Sequence, residues 1–231
     1  MLKRMHVVLL VLALLALIVG PGLWVAAVMK RYHFPQNRYA KTGGETAREL
    51  LDAVALSEVR AEMTEGGDHY DPLEKAVRLS PENFNGRSLT ALTIAAHEVG
   101  HAIQDADGFM PLRWRTRLVR WVSPIEKVGA GMLMLSPFAG AATRAPAIGL
   151  LTFLGGILVL GSGVVVHALT LPTEFDASFR RALPLVKARG LLRTEDLARA
   201  HTLLTAAALT YVSGALQSLL NIARWWAILR R

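Results

Sequence analysis

Apolar positions in this chain come in long blocks separated by polar stretches. From Val7 to Met29 no residue is charged, and a helix needs about 20 such residues to cross a bilayer. Lys3 and Arg4 precede the block, as in a signal peptide. Its length, and the bulky Trp24, Val28 and Met29 at its end, suit a retained anchor better. The gaps from Lys127 to Arg144 and from Arg144 to Glu174 are also free of charge. Together they predict a membrane hairpin turning at Arg144–Ala145–Pro146. Leu203 to Ala223 is apolar but carries Thr205, Thr210, Tyr211, Ser213, Gln217, Ser218 and Asn221. It is either a further membrane helix or a helix packed inside the protein.

The stretch from Arg31 to about Glu126 has a globular pattern. Leu51, Ala55, Val59 and Met63 form one stripe of an amphipathic helix over Thr46 to Met63. Glu65 to Pro72 is rich in turn formers. Lys75 to Ser80 alternates as a short strand does, here expected at a sheet edge. After a loop from Pro81, Ser88 is a suitable N-cap for a helix running through Gln104. Leu112 to Trp121 is basic and contains Trp, which suits a helix at headgroup level. Phe175 to Ala200 is polar again, with a helix expected from Thr194.

Composition supports a membrane reading. Of 231 residues, 52% are hydrophobic and only 19% charged. The net charge of +8 does not point to nucleic acid. Its basic residues flank the apolar blocks, as at Lys30–Arg31 and Arg230–Arg231, rather than alternating with aromatics. There is no cysteine, so disulfides and thiolate metal ligands are excluded and any zinc must be held by His, Asp or Glu.

The strongest chemical signal is "TIAAHEVGHAIQ", Thr93 to Gln104. On a helix His97 and His101 lie about 40° apart, so both rings can reach one ion. Glu98 lies about 60° beyond His101, placed to take a proton from a metal-activated water without ligating. The neighbours Ala95, Ala96, Val99, Ala102 and Ile103 are small or apolar, so the site is expected to be buried, where imidazoles and charges need partners. Gly100 costs a helix about 1 kcal/mol and removes bulk beside the histidines. A third ligand must come from downstream acids: Asp105, Asp107, Glu126, Glu174, Asp176, Glu195 or Asp196. Asp105 and Asp107 are too close along the chain to fold back. Glu174 follows the long apolar run and Pro172, which suits a helix start, so it is expected in the first turn of a new helix facing the histidines. The alternative is that Glu174 and Asp176 only cap that helix.

These stretches, with "DHYDP" (Asp68 to Pro72), "VRLS" (Val77 to Ser80), "NGRSLTALTIAAHEVGHAIQ" (Asn85 to Gln104), "TLPTEFDASFRRAL" (Thr170 to Leu183) and "AAALTYVSGAL" (Ala206 to Leu216), make the chain resemble the YugP-type neutral zinc metallopeptidases, membrane proteins of bacteria. The resemblance covers most of the chain in order. It implies a membrane-bound peptidase dependent on one Zn2+, with His97, His101 and Glu174 as ligands and Glu98 as general base. A wider similarity, to membrane gluzincins that place a hairpin between the His motif and a Glu-x-x-Ala-Asp motif, departs at Ser178. A hydroxyl stands there where the motif has a carboxylate.

The expected fold is thus a mainly α integral membrane protein. It would join a zincin-like helical catalytic domain and a short β element to about four transmembrane or membrane-embedded helices. Residues 1–30 form the anchor, 31–126 and 173–202 the two halves of the catalytic domain, 127–172 the hairpin, and 203–231 the C-terminal membrane or buried helix. The ligands meet on one side only if the chain between them crosses an even number of times. Lys30, Arg31, Arg38, Lys41 and Arg48 after the first block, and Arg180, Arg181, Lys187, Arg189, Arg193 and Arg199 after the hairpin, place the catalytic face of a multi-pass protein of the bacterial membrane in the cytoplasm. Lys3 and Arg4 pull the other way. The expected partners are a protein or peptide substrate and the lipid bilayer, without nucleic acid. Membrane partner proteins and homo-oligomers stay open. The Lys75 to Ser80 edge would hold an extended substrate by strand addition, and Tyr211 or His201 would stabilise an oxyanion. For Tyr211 a packing role is the alternative. His167 suits a buried helix residue. The rival class is a non-catalytic membrane scaffold with a structural metal, which has no need of Glu98 and is normally closed by four protein ligands.

Overall fold

The computed structural model describes residues 2–142 and 144–229; the expected flanking pair Arg230–Arg231 lies outside them. In chain order the elements are α1 (Leu2–Tyr32), α2 (Gly43–Ala53), β1 (Arg60–Met63), β2 (His69–Asp71), β3 (Ala76–Leu79), α3 (Pro81–Asn85), α4 (Leu89–Ala106), α5 (Met110–Ala142) and α6 (Pro146–Phe175). A π-helical segment (Asp176–Ala182), α7 (Leu183–Ala188), a 3-10 turn (Thr194–Asp196) and α8 (Leu197–Leu229) follow. The chain divides into two compact units. One comprises Met1–Gly22, Trp114–Thr170 and Thr210–Arg231, and is helical. The other comprises Leu23–Arg113 and Leu171–Leu209, and contains the sheet.

Four helices run for 30 to 33 residues: α1, α5, α6 and α8. Among the described residues, however, no helix is long and apolar enough to cross a membrane. This overturns the expected integral membrane fold with about four spans, and the multi-pass placement that followed from it. Helix α5 illustrates the reason. It begins at Met110, well before the expected first arm, and carries Arg113, Arg115, Arg117 and Arg120 in the part that precedes the charge-free gap, and a charge at bilayer depth is costly. Length alone is not a span. Between α5 and α6, Arg144 lies in the left-handed region at φ 52°.

In the mixed unit, α4 is the centre. Ser88 caps it, its Oγ accepting from Ala91 N at 3.1 Å. From Leu89 to Ala102 every residue is buried. Leu50 and Leu51 of α2, Val77 and Leu79 of β3, and Leu92 and Val99 of α4 supply fully buried side chains of the core. The expected helix over Thr46 to Met63 is two elements. It starts earlier, at Gly43, behind a capping box: Thr42 Oγ1 accepts from Glu45 N at 3.1 Å and Glu45 Oε2 from Thr42 N at 2.8 Å. It ends at Ala53, where the amides of Val54 and Leu56 return to Leu51 O and Ala55 takes a φ of 58°. Residues 60–63 then pair with β3, an exchange of helical for sheet hydrogen bonds that a period of apolar residues cannot reveal.

The sheet order is β1-β3-β2. β1 lies parallel to β3 with Arg60 opposite Ala76, and β2 antiparallel with Tyr70 opposite Val77. The strand expected within Lys75 to Ser80 is present but central. Both of its edges are paired, so it cannot accept an added strand. Its burial explains the placement: Ala76, Val77 and Leu79 have no exposed surface.

Candidate metal centre

His97 and His101 project from the same face of α4, ring centroids 4.8 Å apart and 78° between planes. Glu174 reaches them from the end of α6. Its Oε2 lies 3.2 Å from His97 Nε2 and 3.4 Å from His101 Nε2. One donor atom from each of the three residues falls within 4.8 Å of the others. All are buried, Glu174 to 1% exposure, and Glu98 beside them to 7%.

Glu174 does not arrive as expected. Pro172 lies inside α6 rather than at a helix start, and α6 continues through Phe175 into the π-helical segment. Proline removes an amide donor and crowds the turn before it; Pro184, at the start of α7, directly follows the π-helical segment, and π-type turns are a common way to absorb such a disruption. In the widened segment Leu183 N reaches back to Ser178 O. Glu174, Asp176, Ala177 and Ser178 are all buried.

This segment approaches α4 with almost no clearance. A Cβ built on Gly100 would lie 2.6 Å from Ala177 O and 3.2 Å from Ala177 C. Gly100 therefore allows backbone contact between the element carrying the histidines and the one following Glu174. The same approach brings Ser178 Oγ to 3.1 Å from His97 Nδ1. At the position where a carboxylate was missing, a hydroxyl still meets the imidazole.

His101 Nδ1 lies 2.9 Å from Gln104 Oε1. Gln104 Nε2 donates to Thr173 O at 2.8 Å and to Asp176 Oδ2 at 2.9 Å. Arg181 Nε donates to the same Asp176 oxygen, and its Nη1 to Asp107. Burial pushes the Asp176 carboxyl up, but hydrogen bonds from Arg181 and Gln104 outweigh it and hold its pKa below the ordinary value. Gln104 and Arg181 were not picked out from the sequence as partners of the site, and Ser178 only as a departure from a motif. For Gln104 there was a signal: a polar residue three places beyond His101, on the same helix face.

The rival acids are engaged elsewhere. Asp105 accepts from Tyr70 Oη at 2.7 Å and from Lys75 Nζ at 2.5 Å, tying the sheet to α4. Asp196, with no exposed surface, accepts from Arg38, Tyr39 and Arg199. Glu195 pairs with Arg38. The side chain of Glu126 lies outside the described residues. Tyr211 belongs to the helical unit, where Arg115 Nη2 donates to its Oη at 2.6 Å and the guanidinium sits 5.3 Å from its ring centre. His167, in the same unit, has its ring centre 6.1 Å from that of Tyr211. His201 is exposed and stacks on Phe179 at 4.8 Å.

The donor set fits zinc. With Nδ1 of His101 turned to an acceptor, its Nε2 lone pair faces a carboxylate oxygen, and Ser178 lets His97 do the same. Acceptor atoms held this close in a buried site call for a cation between them. Zinc bonds of 2.0–2.2 Å at a tetrahedral angle separate ligand atoms by about 3.4 Å. The two separations from Glu174 Oε2, 3.2 and 3.4 Å, match that spacing.

Comparison with known proteins agrees with this geometry. Residues 7–230 match the model of a family described as "putative neutral zinc metallopeptidase". A relative from Bacillus subtilis (strain 168), named "Putative membrane protease YugP", is 35% identical over 204 residues. The aligned region covers 87% of this chain and 86% of that protein. No solved structure matches. A family match from Val7 to Arg230, with the two histidines and the distant glutamate brought together inside it, means that this chain belongs to that zinc metallopeptidase family.

Proposed function

We propose that the protein is a zinc-dependent endopeptidase, with His97, His101 and Glu174 as metal ligands and Glu98 as general base. The observation that carries this reading is the meeting of Nε2, Nε2 and Oε2 donors from residues 97, 101 and 174 in one buried cluster. Among the described residues the cluster offers three donors. That leaves one position of a tetrahedron for water or substrate, the pattern of catalytic rather than structural zinc. Glu98 favours catalysis over a scaffold role, since a purely structural site has no use for a carboxylate there.

Bound zinc would supply Lewis acidity, polarising a peptide carbonyl and making water nucleophilic near neutral pH. The chain's own residues do the rest. His97 and His101 present their Nε2 atoms from rings fixed by Ser178 and Gln104. Glu98, about 60° round the helix from His101, takes a proton from the attacking water onto its carboxylate and delivers it to the leaving amine nitrogen. The substrate class is a protein or peptide. The name of the Bacillus relative supports action in association with a membrane.

The test is Glu98→Gln in the purified full chain. Zinc should stay at about one ion per chain, while peptide hydrolysis falls by roughly 10²- to 10⁴-fold. Unchanged turnover by the variant refutes the base assignment, and a wild-type chain that takes up no zinc refutes the metal assignment.

A further inference from the structure

We infer that Gln104 is a positioning residue that selects the tautomer of His101, holding the proton on Nδ1 so that the Nε2 lone pair faces the metal. The inference rests on the zinc reading above and deepens it by assigning a role outside the ligand set.

The argument runs from the amide outward. Gln104 has no exposed surface, so its polar atoms must find partners within the protein. Its Nε2 has two: Thr173 O at 2.8 Å and Asp176 Oδ2 at 2.9 Å. Thr173 O is a backbone carbonyl and can only accept. Turning the amide over would set Oε1 against that carbonyl, so the flipped orientation is excluded by its surroundings. Oε1 therefore faces His101, and an amide oxygen can only accept. The Nδ1 atom 2.9 Å away must be the donor. In a neutral imidazole that leaves Nε2 unprotonated, and Nε2 is the atom 3.4 Å from Glu174 Oε2.

Asp176 and Arg181 extend the lock. Arg181 Nε donates to the same Oδ2 that Gln104 Nε2 reaches, at 2.7 Å, and Nη1 bridges to Asp107. The guanidinium thus holds the carboxylate where it can accept from the amide. Thr173 and Asp176 flank Glu174 in sequence, so one amide orients His101 and grips the chain on either side of the third ligand. The two histidines have different supports: Ser178 can donate or accept, whereas Gln104 Oε1 can only accept. His101 is the histidine whose tautomer is dictated.

The experiment reads the tautomer directly. Metal-free full-length protein with 15N-labelled histidine is examined by multiple-bond 1H–15N correlation under conditions where His101 is neutral. In the wild type, His101 should appear as the Nδ1–H form. Gln104→Leu removes the acceptor. It should shift His101 toward the Nε2–H form and weaken zinc binding by roughly 10- to 100-fold, the usual effect of losing a group that orients a ligand. Gln104→Glu keeps an acceptor toward His101 while losing both donations. It should retain the Nδ1–H form, whereas a merely structural role would make the two variants alike. A wild-type His101 in the Nε2–H form overturns the inference even if neither variant folds. So does an unchanged tautomer and zinc affinity in Gln104→Leu. Failure of the wild type to bind zinc would instead defeat the metal reading, while the metal-free spectrum still tests Gln104.

Discussion

Gly100→Ala separates what a helix prefers from what this site requires. In an isolated helix the substitution should stabilise by about 1 kcal/mol, because glycine is a poor helix former. Here the new Cβ would stand 2.6 Å from Ala177 O and 3.3 Å from Ala177 Cα, where ordinary contact begins near 3.4 Å. Relief by movement of α4 alone would require roughly 0.8 Å, the difference between 3.4 and 2.6 Å. The obstacle is backbone, so no side-chain rotation can relieve it. Overpacking costs about 1–3 kcal/mol, and a backbone wall belongs at the upper end. Subtracting the propensity gain leaves a net loss of about 2 kcal/mol. The displaced segment also carries Ser178 and follows directly from Glu174, and metal–ligand distances tolerate only about 0.2 Å. Zinc affinity should therefore fall by more than roughly tenfold, the lower range for disturbed ligand support. Urea denaturation of the metal-free protein reads the first effect and competition with a chromophoric chelator the second. A variant as stable as the wild type, with unchanged zinc affinity, would show that the contact between α4 and the π-helical segment is not tight and would refute the reasoning.

Three further outcomes follow from the same structure. Glu174→Ala should lose zinc and hydrolysis, whereas Asp176→Ala should lower zinc affinity by roughly 10- to 100-fold through Gln104; equal and complete loss in both, measured by metal analysis, would contradict the ligand assignment. Burial raises the Asp196 carboxyl, but hydrogen bonds from Arg38, Tyr39 and Arg199 bring its pKa down from 3.8 to about 2. Its contribution is thus present above pH 4 and lost as pH falls toward 2, about 2 kcal/mol in all. Asp196→Asn should be less stable than the wild type at pH 7, and the gap should close in denaturation curves at pH 2–3. Removing zinc with a chelator should lower the unfolding midpoint of the wild type and leave that of His97→Ala unmoved, because a ligand that binds only the folded state stabilises it.

Local signals in the sequence located much of the unit that carries the candidate metal centre. Ser88 before an apolar run set the start of α4, because a cap needs only the free amides of the first turn, and the four-residue spacing of His97 and His101 set two rings on one face, because that depends only on the helix period. The alternation around Val77 marked a strand for the same reason. Thr42 and Glu45, three apart, also form a local capping signal for α2. What the sequence could not decide were matters of pairing. The stripe from Leu51 to Met63 is equally compatible with one helix or with a helix and a strand, and only the partner strand β3 selects the second. Whether β3 lies at an edge depends on β1 and β2 both reaching it. Pro172 is a helix-start signal locally, yet α6 continues past it and the chain widens into a π-helix packed against Gly100. The long apolar blocks suggested membrane spans, but the extent of each helix and the charges along it decide that question. The tautomer of His101 is the farthest from the sequence: it follows from Gln104 being pinned by a carbonyl and a carboxylate some seventy residues away. Helix and strand periods are short-range and are written in neighbouring residues, whereas hydrogen-bond partners and backbone approaches are set only when distant segments meet.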